Sequence, residues 1–122
     1  MKPKILIVDD DDNLIRLYDS ALSARGYRVV SAMDGEVALG IAEKEQPDLI
    51  ILDVMMPSLH GLNVLDILKD TPGMEHTKFM ILTALSDEAT KEKAISLGTD
   101  YYMVKSESSM ADILQKIHEA VS

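Results

Sequence analysis

Leu49-Ile50-Ile51-Leu52 runs straight into Asp53, and the reading of that stretch decides the fold. Four aliphatic residues without polar alternation read as a strand buried on both faces, as in a parallel sheet. The pattern recurs on either side. Lys4-Ile5-Leu6-Ile7-Val8 ends in Asp9-Asp10, Phe79-Met80-Ile81-Leu82 ends in Thr83, and Tyr101-Tyr102-Met103-Val104 ends in Lys105. In open parallel sheets, ligand chemistry gathers at the carboxyl ends of the strands. Residues far apart in the chain are therefore expected to converge on one site holding Asp9, Asp10, Asp53, Thr83 and Lys105. That set suits a divalent cation and a phosphoryl group.

Helical patterns alternate with the strands. Asp11 or Asp12 can cap a helix that starts near Asn13, turns Leu14, Leu17, Ala21 and Leu22 to one face, and stops at Gly26. Arg28 to Ala32 is a more polar strand, expected nearer an edge. A second helix spans Gly35 to Glu45, with Val37, Ala38, Ile41 and Ala42 inward, and Pro47 ends it. The central strand runs from Asp48 to Leu52. Pro57 and Gly61 bracket a loop, a helix follows from Leu62 to about Lys69, and Thr71-Pro72-Gly73 breaks the chain. The next strand is Lys78 to Leu82. Ser86 and Asp87 can cap a helix to Leu97, closed by Gly98. Its high charge and few large apolar residues predict the least firm packing of the set. Asp100 to Val104 is the last strand. Ser108 or Ser109 caps a final helix with Met110, Ile113, Leu114, Ile117 and Val121 facing the core. Five strands and five helices in strict alternation imply right-handed crossovers and a parallel sheet with helices on both faces.

The chain has 122 residues, the size of one domain, and a formal net charge of −9. That charge argues against direct nucleic-acid binding and against an anionic membrane surface as partner. With no cysteine there is neither a disulfide framework nor a thiolate metal site. No stretch approaches the roughly 20 apolar residues of a membrane helix, and the amino terminus lacks a signal-peptide pattern, so a cytoplasmic location is expected. No linker or basic helix-turn-helix appears, which favours a stand-alone domain spanning residues 1–122.

Carboxylates held a few ångströms apart repel by roughly 4 kcal/mol at about 4 Å and an effective dielectric near 20. A hard cation offsets that cost, and all-oxygen ligands suit Mg²⁺. With Lys105 and the Thr83 hydroxyl nearby, Asp53 can accept a phosphoryl group as an aspartyl phosphate. The three histidines, His60, His76 and His118, lack ligand spacing and read as solvated. The eight methionines read as core and loop filler.

The segments Ile5-Leu6-Ile7-Val8-Asp9-Asp10, Asp48 through Pro57, Gly61, Ile81-Leu82-Thr83-Ala84 and Gly98 through Lys105 together resemble a response-regulator receiver domain of the stand-alone, chemotaxis-regulator type. The resemblance implies a flavodoxin-like, doubly wound sheet in the order 2-1-3-4-5. It implies that Asp53 takes a phosphoryl group from the phosphohistidine of a sensor histidine kinase or phosphotransfer protein. Asp9, Asp10, Asp53 and the backbone carbonyl of Met55 would hold Mg²⁺, and Lys105 would contact the phosphoryl group. Thr83 would swing toward it and Tyr102 would turn inward. That repacks the face of the fourth helix, fifth strand and fifth helix, where a downstream protein would dock. Small Ala84 leaves room at the phosphate. The implied protein is a switch, autocatalytic only in its own phosphorylation, and a monomer or a weak phosphorylation-dependent dimer.

One position departs from the family pattern. Proline usually follows the lysine, through a cis bond, but here Ser106 follows Lys105. A cis bond before a non-proline residue costs about 2.5–4 kcal/mol, so either that strain is tolerated or the loop is trans and rebuilt. Met55 and Leu85, flanking the expected phosphate, are apolar and cannot orient water, which predicts slow self-dephosphorylation. Two other functions are open to the same residues. A phosphatase of the haloacid-dehalogenase type would need a second aspartate two residues after Asp53, where Met55 stands. A phosphorylation-independent interaction module would have no use for the intact acidic set.

Overall fold

The computed structural model describes residues 2–56 and 59–122. Pro57, one bracket of the expected loop, lies outside the described residues. The elements follow in the order β1 (Lys4–Val8), α1 (Asp12–Ala24), β2 (Arg28–Ala32), α2 (Gly35–Glu45), β3 (Leu49–Leu52), α3 (Gly61–Lys69), β4 (Lys78–Thr83), α4 (Glu88–Ser96), β5 (Tyr101–Val104) and α5 (Met110–Val121). All pairings are parallel and the sheet order is β2-β1-β3-β4-β5. The polar strand β2 is an edge, as its composition suggested.

Alternate residues of each strand feed two separate cores. Leu6, Val8, Ile50, Leu52, Phe79 and Ile81 pack against α2, α3 and α4. Ile5, Ile7, Leu49, Ile51, Met80 and Leu82 pack against α1 and α5. This double burial is why the strands carry almost no polar residues.

Several helix faces differ from the sequence reading. In α1 the buried residues are Ile15, Tyr18 and Leu22, while Leu17 is exposed. The i, i+3, i+7 stripe is shifted by one position, with the bulky Tyr18 buried in the core on that face of the sheet. In α2 Ala38 and Ala42 are buried but Val37 is exposed, since small residues let α2 lie close to the sheet. Asp48 stays outside β3, where its carboxylate accepts the Lys4 backbone N–H at 2.8 Å. Asp100 likewise stays outside β5 and accepts from the Phe79 N–H at 2.9 Å. Helix α3 begins one residue early, at Gly61, with the His60 ring accepting from the Leu62 N–H. Helix α4 is shorter than expected and buries only Ala94, in keeping with its charge-rich sequence. Asp11, Asp34, Asp87 and Ser109 cap α1, α2, α4 and α5, the last through a reciprocal capping box with Asp112.

Candidate functional site

The sheet ladders carry the expected groups to one place. The Asp53 N–H donates to the Val8 carbonyl at 3.0 Å, prolonging the β3–β1 pairing by one residue. The Asp9 N–H does the same toward Ala32 of β2, at 3.2 Å. Asp9 and Asp53 thus stand level at the carboxyl edge of neighbouring strands. Asp9, Asp10 and Asp53 each present a carboxylate oxygen, and the three atoms lie within 4.8 Å of one another. Asp9 and Asp53 are buried, whereas Asp10 faces solvent. No other group of three or more potential metal ligands occurs among the described residues.

Lys105 closes the site from β5. Its Nζ lies 2.9 Å from Asp9 Oδ2 and 3.3 Å from Asp53 Oδ2, so one ammonium bridges both buried acids. Burial works against the charge on Lys105, but the hydrogen bond to Asp9 and the charge of Asp53 outweigh it and raise its pKa above the usual range. Burial also dominates at Asp9. Its pKa is raised, although the hydrogen bonds from Lys105 and from the Asp11 N–H pull the other way. The Asp9 carboxylate is therefore held under electrostatic strain that more positive charge would relieve.

The Lys105–Ser106 peptide is trans, as no cis bond occurs among the described residues. The chain passes from β5 directly into a short 3₁₀ turn, Lys105–Glu107. The rebuilt trans loop is thus the form taken, and it still delivers Lys105 to both acids.

Thr83 ends β4 fully buried, and its Oγ1 accepts the Leu85 N–H at 3.2 Å. The Tyr102 hydroxyl donates to the Leu85 carbonyl at 3.3 Å. One residue, Leu85, therefore joins Thr83 to Tyr102 through its two backbone groups. Nothing in the sequence pattern announced this link. Met55 is 57% exposed, and its N–H donates to Asp53 Oδ1 at 3.3 Å.

The donor set can be tested against a small octahedral cation. Ligand oxygens at about 2.1 Å from such an ion lie about 3 to 4 Å from one another. The three carboxylate oxygens need to close by no more than about 2 Å to meet that spacing, and all are the hard oxygen donors such an ion prefers. The residues fit.

A family model for the response regulator receiver domain matches residues 5–118. The chain belongs to this family. The receiver domain shares 44% identity over 105 residues with the alkaline phosphatase synthesis transcriptional regulatory protein PhoP of Bacillus subtilis, covering 86% of this chain and 43% of that protein. It shares 38% identity over 127 residues with a Porphyridium aerugineum protein named "Probable transcriptional regulator ycf27", covering 99% of this chain and 52% of that one. The chain thus spans about half the length of these curated relatives, or somewhat less. Among solved structures it superposes on the chemotaxis protein CheY4 of Vibrio cholerae with a TM-score of 0.90 at 27% identity, covering 98% of this chain and 99% of that one. Receiver domains are signalling modules of two-component response regulators, and the family that the motif resemblance implied is the one found. No described helix is long and apolar enough to cross a membrane.

Proposed function

We propose that this receiver domain is a phosphorylation-controlled switch whose phosphoacceptor is Asp53. The observation that carries the reading is the convergence of Asp9, Asp10 and Asp53, with Lys105 spanning the two buried acids. A carboxylate oxygen of Asp53 attacks the phosphorus of a phosphohistidine. The P–N bond breaks, its electron pair returns to the imidazole, and an acyl phosphate forms on Asp53. Asp9, Asp10, Asp53 and the Met55 carbonyl would hold Mg²⁺, which when bound would supply positive charge against the repulsion between the acids and an anionic phosphoryl group. Lys105 neutralises charge on the phosphoryl oxygens from the β5 side. The Thr83 hydroxyl already accepts from Leu85 and has its proton left to donate to the phosphoryl group.

Movement of Thr83 toward that group pulls on the Leu85 N–H, and the Leu85 carbonyl then withdraws from the Tyr102 hydroxyl. Loosely held α4, with only Ala94 buried, is the element free to respond. The output surface is the face formed by α4, β5 and α5. Its partner is a protein, with a sensor histidine kinase or phosphotransfer protein as the phosphoryl source. The net charge of −9 points this domain's own contacts away from nucleic acid and membrane, toward proteins in the cytoplasm. Residues 1–122 act as one domain, monomeric or weakly dimeric when phosphorylated.

Beryllofluoride with Mg²⁺, which imitates an aspartyl phosphate, tests the reading by amide NMR. Wild-type protein is expected to shift at Asp53, Thr83, Leu85 and Tyr102, and Asp53→Ala to shift at none of them. Equal responses from both proteins would refute the assignment.

A further inference from the structure

We infer that Gly35, at the head of α2, is a positioning residue for Asp53, acting through Leu59 and Gly61. The inference deepens the proposed function, because it concerns how the phosphoacceptor is held in register.

Two glycines pack against residues that flank the connection from β3 to α3. A methyl group at Gly61 would fall 2.0 Å from the Asp53 carbonyl oxygen and 2.9 Å from Val54 Cα. The Gly61 N–H also donates to the Val54 carbonyl at 2.9 Å. The head of α3 therefore rests directly on the backbone of the phosphoacceptor. One layer further out, a methyl group at Gly35 would fall 2.5 Å from the Leu59 carbonyl oxygen, 2.6 Å from Leu59 Cβ and 3.0 Å from Val64 Cγ2. Leu59 lies two positions before Gly61. The head of α2 thus bears on Leu59, just ahead of α3.

Neither glycine is needed for backbone conformation. Positive φ is confined to Gly26, Gly73 and Gly98 among the described glycines. Gly35 and Gly61 are required by closeness alone, so alanine at either adds volume without torsional strain. What yields is then decided by burial. Val64 and Leu65 are fully buried, and Asp34 fixes the start of α2 by accepting from the Val37 N–H at 2.9 Å. Leu59 is only half-buried and lies outside both helices. It takes up the displacement, which is about 1 Å if an ordinary contact distance is to be restored. Two residues on, that push reaches Gly61 and the Asp53 carbonyl. Gly40 on the same helix has nothing within 4 Å and serves as the control.

The test is amide NMR on metal-free protein, followed by titration with Mg²⁺ alone. Gly35→Ala is expected to move the amides of Asp53, Val54 and Met55 and to weaken Mg²⁺ binding by about 10-fold, since misplacements near 1 Å cost up to about 100-fold at a reacting centre. Gly40→Ala is expected to match wild type in both. Shifts confined to residues touching position 35, with Mg²⁺ affinity within about twofold of wild type, would overturn the inference. If Gly35→Ala does not fold, Leu59→Gly removes Leu59 Cβ, one of the two Leu59 atoms that a methyl group at position 35 would meet. Movement of the Asp53 and Met55 amides in that variant supports the inference, and their constancy overturns it. The amide positions are read without metal or phosphate. A wild type indifferent to Mg²⁺ would therefore remove the metal from the proposed function while the amides still decide the role of Gly35.

Discussion

Replacing Lys105 with methionine isolates the electrostatics of the site. The Lys105 side chain is 25% exposed, but the side chains of Asp9 and Asp53 are only 4% and 8% exposed. Without it, two buried carboxylates face each other with oxygens no more than 4.8 Å apart. At an effective dielectric of about 20 their repulsion is about 3.5 kcal/mol. Protonation of Asp9 sets a ceiling. At pH 7, protonating a carboxyl whose ordinary value is 3.8 costs about 4 kcal/mol. Breaking a buried pair by removing one partner costs about 3–5 kcal/mol in general. The metal-free variant should therefore lose about 3 kcal/mol, a fall of roughly 10 °C in melting temperature for a domain of this size. Mg²⁺ affinity should move the other way. Three acids with no competing ammonium attract the ion more strongly, so the stability deficit should shrink as Mg²⁺ is added. Urea unfolding in chelator, with calorimetric Mg²⁺ titration, reads both quantities. A variant as stable as wild type in chelator, or one that binds Mg²⁺ more weakly, would refute this account of Lys105.

Asp10→Ala should melt no lower than wild type without metal, because it removes a repelling charge at an exposed position, and should lose the Mg²⁺-dependent gain in melting temperature. A lower melting point with the gain retained would contradict its place in the ion site. Asp9 has a raised folded-state pKa, so its contribution to stability is fully present below 3.8 and is lost as pH rises through the folded value. Metal-free wild type should therefore match Asp9→Asn in acid and fall below it as pH approaches neutrality, as followed by urea unfolding at a series of pH values. A gap that narrows with rising pH would be the wrong sign. The phosphorylated form should decay over minutes or longer, since exposed Met55 and half-buried Leu85 offer no group to orient water. Decay within seconds, followed by phosphate release, would show that water is oriented by another group.

The strand ends were the most legible feature of the sequence. Each buried strand needs an unbroken aliphatic run, and the first polar residue after it marks the carboxyl edge of the sheet. That rule pointed to Asp9, Asp53, Thr83 and Lys105, which stand at the carboxyl edge of the sheet. Helix ends were nearly as clear, because Asp and Ser caps and glycine stops act within one turn. Helix faces were less so. Leu17 and Val37 fit an apolar stripe as well as their neighbours do, and only the bulk of Tyr18 and the smallness of Ala38 and Ala42 decide which residues point inward. The bridge from Thr83 through Leu85 to Tyr102 uses backbone groups, which any residue carries, so no residue type could signal it. The seating of Gly35 against Leu59 is likewise a matter of clearance between helices, invisible to spacing along the chain.

The most direct measurement is intact-protein mass spectrometry after incubation with acetyl phosphate. Wild type with Mg²⁺ should gain the mass of one phosphoryl group, located on Asp53 by peptide mapping. Asp53→Ala should gain none, and neither should wild type in excess chelator. A gain that survives loss of Asp53, or one indifferent to Mg²⁺, would contradict the claim that these converging acids form a magnesium-assisted phosphoacceptor.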